Sequence, residues 1–500
     1  MDRYVAIVFS ILLGVAAASS RRFPDGFKFG AATAAYQIEG GWNASDKGES
    51  IWDRHVHAHP GVVEDRSNGD VACDSYHHWR EDVRMVKEMG LDFYRFSISW
   101  PRVLPTGFAN HISEDGSKYY SNLIDELLAN GIEPVVTLYH WDLPQSLQDL
   151  GGWANPLIAD WFADYARVIF DLYGDRVKTW ITINEPIIVC DLGYNGIFAP
   201  GINSDNFGAY MCSRNILLAH ARAYRLYEKE YKPKYHGEVS ISNHIFWFEP
   251  ATDQDMELTE LSKDISIGRY SHPIFSAKGG WPPALERYIA EKSKKEGYSR
   301  SRLPSFTQEE IELIRGSYDF YGLNHYTTRT IRPLAAGEAA GVFLVQGISE
   351  LGVTCGGRPE WPSTASEWFL VNPRGLRDTM LYLKQQYGDL RILITENGYS
   401  DSGAELDDEP RARYYKDYLE QVLLAMEEDD VKVIGYTAWT LMDNFEWTDG
   451  YQSRFGLHAV DFSDPLRPRT PRRSAHYYAA VARTHDLDAT YKFPEEKQEL

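Results

Sequence analysis

This 500-residue sequence has few cysteines, no surplus of basic residues and, beyond its first 20 positions, no long apolar run. Its four cysteines are too few for a small fold held together by disulfides. Because 51 Lys and Arg face 72 Asp and Glu, the net charge is −21, which argues against nucleic acid as a partner. No Gly/Ser linker or low-complexity tract divides the chain. We therefore predict one large domain over 22–490 and a short tail over 491–500.

The N-terminal segment is the exception to this lack of apolar runs. Tyr4 to Val15 is apolar but too short to span a bilayer, and Ala16 to Ala18 form a small-residue cleavage site. The pattern predicts a secretory signal peptide over 1–18 and no membrane contact after its removal. A short membrane anchor is the alternative interpretation of the same run.

Three further features bear on the cellular compartment. The sequon Asn43-Ala44-Ser45 predicts N-glycosylation of Asn43 in a secreted protein. Cys190 and Cys212 could pair across a loop, or all four cysteines are small buried side chains, and the sequence leaves both open. The chain ends in KQEL, which is similar to a KDEL-type signal for retention in the ER lumen, although an ordinary acidic tail has the same composition.

Past the N-terminal segment, short β-branched or aromatic runs alternate with amphipathic helical patterns such as Tyr120, Leu123, Ile124 and Leu127. The runs are 27–35, 93–100, 134–141, 177–185, 239–248, 318–326, 391–396 and 433–439. Helices that alternate with strands apolar on both faces favour parallel strands. Eight such units predict a single (β/α)8 TIM barrel with long loops at the C-terminal face of the strands. An open, doubly wound sheet is the alternative.

Polar residues stand at the ends of several of these runs, where such a barrel opens into its active site. The set is Arg95, His140, Asn184, Glu185, Asn324, Tyr326, Glu396 and Trp439. One charged strand end could be a structural ion pair, but so many polar ends at one rim predict a catalytic site.

Two glutamates are presented in the same way, because KTWITINEP leads to Glu185 and RILITENG leads to Glu396. Pro186 disfavours helical geometry at Glu185, so we expect the strand conformation to continue to that carboxylate. Two carboxylates across a barrel mouth suit glycoside hydrolysis, in which one protonates the leaving oxygen. The other attacks the anomeric carbon or activates water, and the distance between them, which the sequence does not supply, decides which.

The motifs AAYQIEGG, YRFSISWPR, YHWDLPQ, TINEP, YGLNHYT, ITENG and WTLMDNFEW follow one another between Phe23 and Tyr477. This ordered set resembles glycoside hydrolase family 1, the retaining β-glucosidases and their relatives, and in particular secreted animal and insect members. The resemblance implies the barrel fold predicted above. It also implies hydrolysis of β-D-glucosides, with galactosides or fucosides as further substrates, through a covalent glycosyl-enzyme intermediate.

Carried onto this chain, the resemblance implies that Glu185 is the general acid/base and Glu396 the nucleophile. Arg95 and Tyr326 would lie against Glu396 and keep it ionised, with Asn324 as a further support. Burial and the charge of Glu396 would raise the pKa of Glu185, so that it holds a proton near neutral pH.

A larger group of side chains would hold the substrate. The resemblance assigns this role to Gln37, His140, Asn184, Tyr326, Trp368, Trp439, Glu446 and Trp447. Asn184 would bind the 2-hydroxyl, Trp439 would form a platform under the sugar ring and Trp368 would contact the aglycone. Relatives that act on 6-phosphosugars carry a phosphate-binding set at the position of Glu446, so a phosphosugar is not expected here. The resemblance also implies a cis peptide between Trp439 and Thr440.

No cofactor and no metal are expected. His55, His57 and His59 alternate in HVHAH, but in a stretch that we expect to be a loop without a second ligand group. A small-molecule glycoside is the expected partner, and the sequence leaves the oligomeric state open, with a homodimer as one candidate. Two alternatives remain: a thioglucosidase that retains the acid, and a catalytically silent relative, which the presence of both Glu185 and Glu396 disfavours.

Overall fold

The computed structural model describes residues 21–493, so the predicted signal segment 1–18 and the terminal KQEL lie outside the described residues. The strands are β1 Lys28–Ala32, β2 Phe93–Ser97, β3 Glu133–Tyr139, β4 Thr179–Asn184, β5 Glu238–Pro250, β6 Tyr321–Pro333, β7 Gly347–Ile348, β8 Val353–Gly356, β9 Arg391–Asn397, β10 Lys432–Trp439, β11 His458–Val460 and β12 Arg469–Pro471. Each of the eight predicted runs overlaps one of the longer strands.

Eight parallel strands close into a barrel. They pair in the order β5-β4-β3-β2-β1-β10-β9-β6, and β5 pairs with β6 to complete the ring. The predicted (β/α)8 barrel is therefore confirmed, and the open doubly wound sheet is excluded, because β5 and β6 would be its unpaired edges.

Helices follow the barrel strands and cover the outside of the ring. They are α1 Ala35–Ile38, α2 Ile51–Ala58, α3 Ser75–Met89, α4 Trp100–Val103, α5 Glu114–Ala129, α6 Gln145–Gln148, α7 Ile158–Tyr173, α8 Phe207–Leu226, α9 Lys232–Tyr235, α10 Met256–Lys263, α11 Arg269–Phe275, α12 Pro283–Lys295, α13 Gln308–Ile314, α14 Pro373–Tyr387, α15 Glu409–Glu427 and α16 Arg473–Thr484. The stripe that predicted α5 is buried, as Tyr120, Leu123, Ile124 and Leu127 all lie in the core. The HVHAH stretch lies in α2 and at its C-terminal end, so its assignment to a loop was wrong.

The barrel interior is apolar at one end and polar at the other. Phe93, Val135, Ile181 and Leu393 belong to a separate apolar cluster near the beginnings of β2, β3, β4 and β9. Arg95 lies two residues beyond Phe93 and therefore on the same face of β2. The apolar cluster fills the floor, and the polar side chains of the strand ends lie above it.

Two barrel strands are longer than the sequence predicted. Both β5 and β6 have 13 residues, and they remain paired as far as Pro250 and Ile331. Antiparallel β8 then pairs with the outer half of β6, and β7 pairs with β8. This small sheet raises one wall beyond the rim of the barrel.

Of the two arrangements that the sequence left open, the pairing of Cys190 with Cys212 is the one found, and the alternative of four unpaired buried cysteines is wrong. Cys190 and Cys212 form a disulfide that ties the segment after β4 to α8, while Cys73 and Cys355 are buried free thiols. Within residues 21–493, no helix combines the length and the apolar character needed to cross a bilayer.

Candidate active site

A cavity of about 590 Å³ opens at the C-terminal ends of the barrel strands, and both predicted catalytic glutamates line it. Other predicted residues share its wall, namely His140, Tyr326, Trp368, Trp439, Glu446 and Trp447. The remaining four contact this group through hydrogen bonds, namely Gln37, Arg95, Asn184 and Asn324. The structure thus brings together every site residue that the sequence predicted for catalysis or substrate binding.

Glu396, the last residue but one of β9, lies between a cation and a phenol. The Arg95 guanidinium donates to Oε1 at 2.7 Å, and the Tyr326 hydroxyl donates to Oε2 at 2.8 Å. Arg95 and Glu396 are only 1% and 3% exposed, so little solvent screens their attraction. The sequence predicts Asn324 as a further support for Glu396, but only its backbone pairs with Glu396, in the β6–β9 ladder, and its side chain donates to Glu185 instead.

Glu185 has a different set of neighbours. The Asn324 side chain donates to Oε1 at 2.6 Å, and Nδ1 of His244 lies 2.9 Å from the same oxygen. His244 and Asn324 are register partners on β5 and β6, so the two side chains approach the carboxylate side by side. Because both contacts fall on Oε1, the second oxygen is left for a ligand in the cavity.

The backbone of Glu185 corrects one expectation. Strand β4 ends at Asn184, and Glu185 has a φ of +50°, so the extended conformation does not continue to the carboxylate. The ladder to β5 is irregular between Ile181 and Asn184, and the Glu185 amide donates to the Ser242 carbonyl at 2.8 Å. A non-glycine residue with positive φ is strained, and such strain concentrates at functional sites. Here the turn aims the carboxylate into the cavity before the helical turn that begins at Pro186.

Burial dominates the protonation of Glu396. It raises the pKa of that carboxyl to about 7, and the charge of Glu185 adds to the rise. Arg95 and the Tyr326 hydroxyl oppose it by favouring the ionised form. These two donors alone would keep Glu396 ionised, as predicted from the sequence, whereas the buried carboxyl takes up a proton as the pH falls through about 7.

A third carboxylate, that of Glu446, lines the inner end of the cavity. Gln37 donates from Nε2 to Glu446 at 3.2 Å and to the Phe445 carbonyl at 3.0 Å, while its own Oε1 has no partner among residues 21–493. Burial, together with the charges of Asp449 and Glu396, raises the pKa of Glu446 well above its usual value. The rise favours the neutral form of Glu446, which weakens the repulsion of a phosphosugar expected from this residue.

Flat rings stack along the inner wall. His140 lies nearly parallel to Trp439 and Trp447, with ring centroids 5.8 and 6.1 Å apart. Burial lowers the pKa of His140 well below its usual value, so the ring is neutral. Its Nε2 accepts from the Asn184 amide at 3.1 Å, and its Nδ1 has no partner in the described part of the chain. The expected cis peptide between Trp439 and Thr440 is present.

The sequence missed His244. Its side chain lines the cavity, touches Glu185 and is 7% exposed. The available signal was a polar stretch, Ser242 to His244, between the apolar residues of the run ISNHIF. The significance of His244 depends on the register that places it opposite Asn324, and register between strands far apart in sequence cannot be read from either strand alone.

In the described part of the chain, the ionisable side chains of the cavity are not arranged as metal ligands. Among residues 21–493, no three His, Cys, Asp or Glu side chains are grouped so that they could hold a metal ion. The chemistry available is that of two buried carboxylates with unlike donors, which can divide proton transfer and nucleophilic attack between them.

Comparison with known proteins decides the family. The model for "Glycosyl hydrolase family 1" matches residues 19–487. The chain belongs to this family. As a family 1 member it is a glycoside hydrolase, and the resemblance drawn from its motifs is confirmed.

Two relatives illustrate the range of family 1 names. "Myrosinase 1" of Brevicoryne brassicae is 47% identical over 474 residues, which cover 93% of this chain and 99% of that protein. "Cytosolic beta-glucosidase" of Homo sapiens is 42% identical over 478 residues, which cover 93% and 99%. Both alignments extend over nearly the whole catalytic domain.

Solved structures agree with the fold described above. An aphid myrosinase has a TM-score of 0.88 at 47% identity and covers 93% of this chain and 100% of its own. The family 1 β-glucosidase from Thermotoga maritima has a TM-score of 0.84 at 35% identity and covers 94% and 100%.

The pKa of Glu396 predicts a pH profile for this family 1 enzyme. For a 4-nitrophenyl β-glucoside, whose leaving group needs little acid assistance, kcat/KM should rise with pH through an apparent pKa near 7 as Glu396 ionises. Tyr326→Phe removes a donor that favours the ionised form, so this acidic limb should move to higher pH. Steady-state rates between about pH 5 and pH 9 measure the acidic limb in the parent enzyme and in Tyr326→Phe.

Tyr139→Phe is the matched control, because the buried Tyr139 hydroxyl has no hydrogen-bond partner in residues 21–493. It should leave the acidic limb where it is in the parent enzyme. An unshifted limb in Tyr326→Phe would contradict the assignment of the limb to Glu396.

Proposed function

We propose that this chain is a retaining β-glucosidase in which Glu396 is the nucleophile and Glu185 the general acid/base. The observation that carries the assignment is the unlike support of the two carboxylates. Glu396 accepts from a guanidinium and a phenol, which favour a negative charge. Glu185 accepts from the neutral amide of Asn324 on one oxygen and leaves the other for the glycosidic oxygen.

In the first step, the ionised Glu396 attacks the anomeric carbon and Glu185 transfers its proton to the departing oxygen. The bond to the aglycone breaks as the glycosyl–Glu396 ester forms. In the second step, Glu185 takes a proton from water, which attacks the same carbon and releases Glu396. Two inversions give retention of configuration. Arg95 stabilises Glu396 when it leaves the anomeric carbon as an anion in the second step.

The inner residues support glucose as the glycone. We assign the 2-hydroxyl to Asn184, which precedes Glu185. Its Oδ1 accepts from the Arg95 guanidinium at 2.6 Å. The free Oε1 of Gln37 and the free Nδ1 of His140 are buried polar atoms that a sugar hydroxyl can satisfy. Trp439 would lie under the ring, and Glu446 would accept the 4- and 6-hydroxyls.

A thioglucosidase that retains the acid is the second candidate, since Myrosinase 1 is 47% identical to this chain. A catalytically silent relative is disfavoured, because Glu185 and Glu396 both line the cavity with their donors in place. Comparing kcat/KM for phenyl β-D-glucoside and phenyl 1-thio-β-D-glucoside distinguishes the two hydrolytic activities.

We further propose that the mature protein is secreted through the signal peptide over 1–18, with retention in the ER lumen by KQEL as the alternative. The Cys190–Cys212 disulfide supports an oxidising compartment. Asn43 lies exposed in a turn, where an oligosaccharyltransferase can reach it.

The two glutamate roles predict different products with azide. Glu396→Ala should not form the covalent intermediate, and azide in the vacated space should give the α-glycosyl azide by one inversion. Glu185→Ala should still form the intermediate from an activated aryl glucoside, and azide should then give the β-glycosyl azide after two inversions. Proton NMR of the products distinguishes the anomers.

The stereochemistry separates the roles better than loss of activity, because a misfolded variant would also lose activity. The α product from Glu185→Ala together with the β product from Glu396→Ala would reverse the assignment. Full activity in both variants would remove the two residues from the mechanism.

Glu446 should contribute to the choice of sugar. Glu446→Ala removes the acceptor for the 4- and 6-hydroxyls, which should cost about 1–3 kcal/mol in the transition state. The loss in kcat/KM should be larger for a β-D-glucoside than for the 6-deoxy β-D-fucoside, which lacks the 6-hydroxyl. Equal losses on both substrates would contradict a contact with that hydroxyl.

The secretory proposal predicts one N-linked glycan, since Asn43 begins the single N-x-S/T sequon of the sequence. Protein made through a eukaryotic secretory pathway should lose the mass of one glycan on treatment with a peptide N-glycosidase. Asn43→Gln should abolish the shift, whereas Ser45→Thr preserves the sequon and should keep it. A shift that persists in Asn43→Gln would contradict this assignment.

A further inference from the structure

The cavity continues outward from the catalytic glutamates into what we call the outer chamber, lined by Glu64, Phe198, Phe343, Glu367, Trp368 and Asp449. Glu185 and Glu396 are 4% and 3% exposed, whereas Glu64 and Glu367 are exposed to solvent. The outer chamber therefore lies between the catalytic floor and the surface, on the path that a leaving aglycone takes.

The charge in this chamber has one sign. Glu64, Glu367 and Asp449 line it, and none of the three forms an ion pair with another residue in 21–493. None of the described residues that line the whole cavity is Lys or Arg. Since unpaired carboxylates at one mouth add their fields, the potential there is negative.

The acidic residues are held close to one another by the backbone. The Glu64 amide donates to the Thr448 carbonyl at 2.8 Å, and the Asp449 amide donates to the Glu446 carbonyl at 2.9 Å. Burial raises the pKa of Asp449, the Ser453 hydroxyl that donates to it at 2.6 Å opposes this rise, and the charge of Glu367 adds to it.

Arg329 lies near the chamber, but its side chain does not line it. Arg329 is buried behind the wall, where its guanidinium donates to the main-chain carbonyls of Glu367 and Trp368 at 3.2 and 2.7 Å. It therefore fixes the segment that carries the acidic and aromatic side chains, and it does not line the cavity.

The rest of the chamber is apolar and aromatic. Phe198, Phe343 and Trp368 present ring surfaces, and the faces of such rings attract cations. His244 also lines the cavity, and its buried Nε2 has no partner among residues 21–493, which leaves a polar atom for a ligand beside Glu185. Aromatic faces beside unpaired carboxylates suit a large, weakly hydrated cation.

We propose that the outer chamber selects glucosides whose aglycone is apolar and positively charged, such as a quaternary ammonium or protonated amine, and disfavours anionic aglycones of the same shape. The inference rests on the proposed function, since it concerns the group that leaves when Glu185 donates its proton.

Three aryl β-glucosides that differ in the charge of one para substituent test the proposal, and comparison with the charge variants below removes the differences in leaving-group strength. Their para substituents are trimethylammoniomethyl, its neutral isostere neopentyl, and sulfonatomethyl. The ratio of kcat/KM for the cationic over the anionic substrate should be about tenfold at low ionic strength. It should shrink as salt is raised, because Glu64 and Glu367 are exposed and therefore screened.

Substitution of the exposed acids tests their part in this selectivity. Glu64 and Glu367 make no side-chain hydrogen bond within the described residues, so Glu64→Gln with Glu367→Gln should preserve the fold. This double variant should bring the cation-to-anion ratio towards one. The matched control is Glu257→Gln with Glu291→Gln, which removes the same charge from exposed positions outside the cavity and should keep the parent ratio.

The outcomes separate this inference from the proposed function. No hydrolysis of the neutral neopentylphenyl glucoside would reject the β-glucosidase proposal itself. Hydrolysis of all three substrates with a cation-to-anion ratio of one or less would overturn the charge selectivity alone. A parent ratio that survives in the Glu64 and Glu367 double variant would likewise overturn the proposed role of the outer chamber.

Discussion

The buried guanidinium of Arg95 is the contact on which the rest of the site depends. It donates to Glu396, to the Thr395 carbonyl and to Asn184, and so joins the ends of β2, β9 and β4. Burying this cation and its acidic partner costs several kcal/mol per ion, and the cost is offset only when the donors are satisfied in good geometry. Removing Arg95 would therefore leave the Glu396 charge without its cation and take from Asn184 Oδ1 one of its two donors, the other being Asn324.

Much of the fold follows from local sequence patterns. A strand such as β9 is recognisable because Ile392, Leu393 and Ile394 are consecutive and buried, and α5 because its apolar stripe faces the core. Alternation of the two element types then favours a closed parallel barrel, and closure gathers the strand ends at one rim. The positions of Glu185 and Glu396 thus follow from topology, before any side-chain contact is known.

The features that the sequence did not predict depend on long-range register and on burial. The positive φ of Glu185 follows from an irregular ladder with β5, to which Pro186 gives no clue. The contact of His244 with Glu185 requires His244 to lie opposite Asn324. The pKa of Glu396 depends on how much solvent the surrounding loops remove, and burial outweighs the donors that the motifs revealed.

The outer halves of β5 and β6 continue the barrel ladder past the catalytic rim as far as Pro250 and Ile331. Side chains alternate along a strand, so one residue inserted after Tyr326 would exchange the two faces of the outer half while Asn324 kept its place. The ladder already shifts by one residue between His325 and Thr328, so an irregularity beside Tyr326 sets which side chains of the outer half face the cavity. Insertions beyond Pro333, where the chain leaves β6, leave this register unchanged, so homologous sequences should vary in length more after the wall than within it.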